Sequence, residues 1–143
     1  MFLILHIKNR QDALWLLVKN NKVVARVNFV LSAEEDTVLH HLYKILYKNK
    51  ISISRVDSLV LLVTEASLTQ VKVVTAIINV LAWQNKAKVV ADYHFSGVVE
   101  DRLLNLSNKF KKIKKFKALK VVYSRPPEIT ISQKKPKFTI NKK

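Results

Sequence analysis

Residues 61–72 read LLVTEASLTQVK, and the fold turns on how this stretch is taken. An unbroken apolar run, Leu59 to Val63, leads into a short polar turn, and a second apolar run starts directly after it. A run without polar alternation marks a strand covered on both faces, as in a sheet with helices on either side. Ser67 and Gln70 have capping-box spacing, in which the serine oxygen accepts from the NH of the glutamine and the glutamine side chain reaches back to the NH of the serine. A helix is therefore predicted to open here and to run to about Gln84. In a nucleotide-binding protein a strand-to-helix turn of this kind carries glycines, because glycine lets backbone NH groups close around phosphate. This turn has none, and the whole chain has a single glycine, Gly97.

Working outward, Phe2 to Ile7, Ala13 to Val18 and Val23 to Val30 are apolar runs that predict three strands. The last two are joined by Lys19-Asn20-Asn21-Lys22, where paired asparagines tolerate the positive φ of a tight hairpin. Ser32-Ala33-Glu34-Glu35 is another capping box and predicts a helix from Ala33 to Lys48. Its apolar residues Val38, Leu39, Leu42, Ile45 and Leu46 recur at helical spacing, with His40, His41, Lys44 and Lys48 mostly on other faces. Beyond the second helix, Val89 to Ala91 reads as a short strand, Val98 to about Lys117 as a helix and Leu119 to Tyr123 as a last strand. The order βββαβα followed by βαβ predicts an α/β fold: a mixed sheet flanked by helices, of the ribonuclease-H-like or actin-like half-domain type. There is no internal repeat.

The helix after Ser67 is apolar almost all the way round, with Leu68, Val71, Val73, Val74, Ala76, Ile77, Ile78, Val80, Leu81, Ala82 and Trp83. Such a helix needs cover on more than one side, and a chain of 143 residues has little material to provide it. A partner is expected. Either Val71, Val74, Ile78 and Leu81 or the opposite set, Val73, Ile77 and Val80, should meet it.

Length predicts one domain, over residues 1–125, followed by a basic extended tail over 126–143. A hydrophobic content of 49% excludes a disordered chain, so the net charge of +16 rides on a folded body. The charge is uneven: residues 109–143 hold 13 Lys or Arg and the one acid Glu128. Cysteine is absent, which removes disulfides and thiolate chemistry and fits a reducing cytoplasm. The start MFLILHIKN lacks a basic leader and reads as a strand, and no stretch approaches the roughly 20 apolar residues of a membrane helix.

No arrangement of Ser and His marks nucleophilic catalysis. His40 and His41 are adjacent on a helix, point about 100° apart and so do not chelate one metal; His6 and His94 stand singly. Glu34, Glu35 and Asp36 fit either a metal cluster or acids complementing a helix dipole, and Glu100-Asp101 fits another helix start. No catalytic, cofactor or metal residue is assigned. In the segment from Asn108 to Lys120, Phe110, Ile113 and Phe116 recur every third residue while Lys109, Lys111, Lys112, Lys114, Lys115, Lys117 and Lys120 fill the other positions. Three readings stand: lysines neutralising RNA phosphates, a basic helix on an anionic membrane, or a stripe packed on the sheet with solvated lysines. Lysines on phosphates carry no base specificity.

Three stretches resemble the TsaB (YeaZ) family, the non-catalytic subunits that support the TsaD enzyme in making threonylcarbamoyladenosine on tRNA. Leu31-Ser32-Ala33, a helix, and then Ile51-Ser52-Ile53-Ser54-Arg55-Val56-Asp57 are similar to the family's "LSA, helix, LSLSDLD" passage. Residues 66–76, ASLTQVKVVTA, resemble its "GSFTGLRIGVA", and Val122-Tyr123-Ser124-Arg125-Pro126-Pro127-Glu128 resembles its "YLRPPE". The glycines of "GSFTG" are replaced by Ala66 and Gln70, and Lys8-Asn9-Arg10 stands where actin-like ATPases carry an aspartate. The resemblance thus implies a phosphate loop stripped of its glycines and a second lobe largely missing. It further implies a TsaD-type catalytic subunit, or a second copy, packed against the two helices through Leu39, Leu42, Tyr43, Leu46, Val71, Val74, Thr75, Ile78 and Leu81. A tRNA contact would fall on the lysines between 109 and 120. The alternative is a stand-alone basic RNA-binding or ribosome-associated module.

Overall fold

The computed structural model describes residues 1–32 and 36–121. Strands β1 (Phe2–Ile7), β2 (Asp12–Lys19) and β3 (Lys22–Val30) form an antiparallel meander. At its second turn Asn20 and Asn21 have φ of 52° and 58°, the left-handed pair that a two-residue hairpin demands. Helix α1 (Thr37–Lys48) leads through a short 3-10 turn at Ile53–Arg55 into β4 (Ser58–Val63), which pairs parallel to β1. Helix α2 (Leu68–Asn85) then returns to β5 (Lys88–Asp92), parallel to β4. A 3-10 turn at Val99–Arg102 and helix α3 (Leu103–Lys112) follow. The sheet order is β3-β2-β1-β4-β5, a mixed α/β sheet of the predicted type.

Period-two alternation in the central strands divides two cores. Leu3, Leu5, Ile7, Trp15, Leu59 and Leu61 point to the face covered by α1 and α2. Phe2, Ile4, Leu16, Val60 and Leu62 point to the face covered by α3. Trp15 is fully buried, and its indole NH donates to the Val38 carbonyl at 2.9 Å, which fixes the first turn of α1 to β2.

Three boundaries differ from the sequence expectation. The predicted start of the first helix at Ala33, with its Ser32–Glu35 box, falls on residues 33–35, outside the described residues. The described helix begins at Thr37, and Asp36 caps it by accepting from the Leu39 NH at 3.2 Å. The helix predicted over Val98 to Lys117 is a 3-10 turn plus α3 and stops at Lys112, with Ile113 extended. Lysines three and four apart repel along the helix surface there, and Ile113 and Phe116 go to different cores, which a continuous helix would not allow. The strand predicted over Leu119 to Tyr123 is not formed at 119–121, and Val122 and Tyr123 lie outside the described residues.

Candidate functional site

The turn between β4 and α2 sits at the carboxyl ends of the parallel strands, where open α/β sheets bind ligands. Three of its backbone donors, the NH groups of Thr64, Ser67 and Gln70, are already used. The Ser67 NH donates to Gln70 Oε1 at 3.0 Å and the Gln70 NH to Ser67 Oγ at 3.2 Å, completing the predicted box. Gln70 Nε2 donates to the Arg10 carbonyl at 2.6 Å, and the Thr64 NH to the Ile7 carbonyl at 2.9 Å, so the turn is tied to the β1–β2 loop. The Gln70 side-chain amide thus lies against the cap residue Ser67, at the end of the helix that a phosphate would approach. Beneath it His6 is buried, its Nε2 lies 2.9 Å from Thr64 Oγ1, and its ring meets Phe95 edge-on. Burial, with the nearby Lys8 charge adding to it, holds the His6 pKa below its ordinary value of 6.5.

Of the remaining polar candidates His40 and His41 adjoin, their rings edge-to-face at 5.1 Å. His40 is exposed, while His41 stacks on Phe29 at 4.7 Å with its Nδ1 2.7 Å from the Thr37 carbonyl oxygen. His94 is exposed and stands apart from His6 in the ring contacts. Asp36 is a helix cap, and Glu100 pairs with Arg26 at 2.8 Å. Among the described residues no three His or carboxylate side chains come together as a metal site. None of their helices is long and apolar enough to cross a membrane.

The predicted partner interface divides. Leu42, Leu46, Val71, Val74, Thr75 and Ile78 are buried within the chain. They are the core-facing stripes of α1 and α2, and they meet the sheet rather than a second molecule. Leu39 and Leu81 are half-buried, and Tyr43 alone of the nine is exposed, at 65%. The opposite stripe of α2 is open instead: Val73, Val80 and Trp83 are 51%, 59% and 69% exposed, with Ile77 half-buried between them. On α1 the outward stripe is Tyr43 and Tyr47, the latter 86% exposed. Both helices lie over the same core, so this layer presents aliphatic and aromatic side chains outward as well as inward.

The seven lysines at 109, 111, 112, 114, 115, 117 and 120 are all exposed, but they do not share one helix. Three lie on the last turn of α3, and the rest follow on a strap that leaves the α3 side and passes β5 to the α2 side. Phe110 and Ile113 pack in the α3 core, whereas Phe116, Leu119 and Val121 pack against the other. The single apolar face read from the sequence is therefore two anchors on opposite sides of the sheet. Asn79 holds the far anchor: its Oδ1 accepts from the Leu119 NH at 2.7 Å and its Nδ2 donates to the Leu119 carbonyl at 3.1 Å. Sequence reasoning passed over Asn79, although the one amide within the apolar run from Val71 to Trp83 was a signal. It passed over Tyr47 too, four residues after Tyr43.

No family model matches the chain, and no curated protein matches it. Solved structures do. YeaZ from Pseudomonas aeruginosa superposes with a TM-score of 0.56 at 16% identity, over 64% of this chain and 42% of that one. A structure described as an uncharacterized protein with similarity to peptidase YeaZ, also from Pseudomonas aeruginosa, gives 0.54 at 18% identity with the same coverage. This chain has the fold of those structures, the actin-like, ribonuclease-H-like α/β type, and spans less than half their length.

Proposed function

We propose that the chain is a TsaB-like, non-catalytic subunit of the machinery that makes threonylcarbamoyladenosine on tRNA, and that it binds a TsaD-type catalytic subunit through the outer face of α1 and α2. The observation that carries the reading is the open stripe of Val73, Ile77, Val80 and Trp83 on a helix whose inner stripe is already buried. An exposed apolar patch of this kind marks a protein contact in a soluble domain. The likeness of fold to YeaZ and the three sequence passages above point to the same partner class. The self-capped β4–α2 turn agrees with a subunit that leaves nucleotide chemistry to its partner. In the partner's absence a second copy is expected on the same face.

The test is to mix the purified protein with the TsaD-type subunit of the same organism and to measure the mass in solution at moderate salt. A stoichiometric heterocomplex is expected, weakened at least tenfold by Val80→Asp and by Trp83→Asp. If no complex forms, or if both variants fold and assemble like the parent, the reading is lost.

A further inference from the structure

A second surface, independent of the α1–α2 reading, stands on the strap. Within 109–120 every apolar side chain except Ala118 is turned inward: Phe110 is buried, and Ile113, Phe116 and Leu119 are half-buried against the two cores. What remains outside is lysine. None of these lysines makes an ion pair among the described residues, where the three ion pairs involve Met1 with Asp57, Arg26 with Glu100 and Arg102 with Asp92. The strap is also fixed at both ends. At one end Lys88 Nζ donates to the Phe110 carbonyl at 2.8 Å; at the other Asn79 holds both backbone groups of Leu119.

We infer that this strap is a built binding site for the phosphate backbone of RNA. A membrane-surface segment needs apolar side chains to enter the lipid. Here they are spent on the two cores, which leaves electrostatics alone. Unpaired cations held along a path around the sheet edge meet successive phosphates and release their counterions, with no reading of bases. Asn79 is then a positioning residue: it carries no charge and sets where the last lysines lie.

The experiment measures binding of the full chain to a fluorescein-labelled RNA hairpin by anisotropy from 50 to 300 mM KCl, alongside phosphatidylserine vesicles at equal charge. Affinity is expected to fall linearly in log–log form with a slope of about −3 to −5, as for four to six neutralised phosphates. Lys114→Gln, Lys115→Gln and Lys117→Gln together should weaken binding at least tenfold and flatten the slope by about 2. The same three-lysine change at Lys44, Lys48 and Lys50 should leave both within twofold. Asn79→Ala, which alters no charge, should weaken binding severalfold, with circular dichroism confirming the fold. An unchanged slope in the strap variant, equal losses in the two triple variants, full affinity in Asn79→Ala, or tighter binding to vesicles than to RNA would each overturn the proposal.

Discussion

At the residue scale the most informative side chain is His6, buried beneath the β4–α2 turn and bonded to Thr64. Its pKa is lowered, first by burial and then by Lys8. The unfolded chain therefore takes up the proton first as pH falls through 6.5, so the His6 contribution to stability is complete above that pH and is lost as pH drops toward the folded value. Urea titrations at pH 7.5, 6.5 and 5.5 should show stability declining in the parent, with a shallower decline in His6→Gln, which can still bond Thr64. Equal slopes in the two proteins would refute the assignment. Gln70 shows the same logic without titration. The position where the nucleotide-binding pattern wants glycine holds a side chain that satisfies the turn from within and reaches Arg10. Restoring glycine there removes two side-chain hydrogen bonds, from the Ser67 NH and to the Arg10 carbonyl, before it makes room for anything.

At the scale of elements, α2 is two surfaces of equal greasiness with opposite fates. Ile78 is fully buried, and an aspartate there would bury an unpaired charge, which costs several kcal/mol or the fold itself. Val80, two residues on, is 59% exposed, and Val80→Asp should leave stability within about 0.5 kcal/mol. Chemical denaturation of the two variants checks the contrast; similar losses in both would mean that the helix is turned differently. This contrast also shows what the sequence could tell. The existence of α2, its capping box and its excess of apolar surface were plain in residues 67–84, because capping and periodicity are local. Which stripe faces the sheet was not, since Val71 and Val73 are chemically alike and only the register of β4 and β5 decides between them. The basic segment was misjudged for a related reason. Phe110, Ile113 and Phe116 have one helical phase, yet the chain breaks after Lys112 because two separate cores compete for them.

At the scale of the whole molecule, the charge is the dominant fact. A net +16 concentrated after residue 108 repels itself in the compact state, and salt relieves that repulsion. Thermal unfolding followed by differential scanning fluorimetry should shift upward between 20 and 300 mM KCl. A relief of about 1 kcal/mol corresponds to roughly 3–6 °C for a domain of this size. A flat or falling midpoint would mean that the lysines are already compensated. The sheet itself has unequal ends. Past β5 runs the strap, pinned by Asn79, whereas β3 is the other margin, nine residues long with Val24 and Val30 uncovered. Among the described residues the sheet therefore has a direction: β3 is the margin to which a further strand could add, and the strap closes the other.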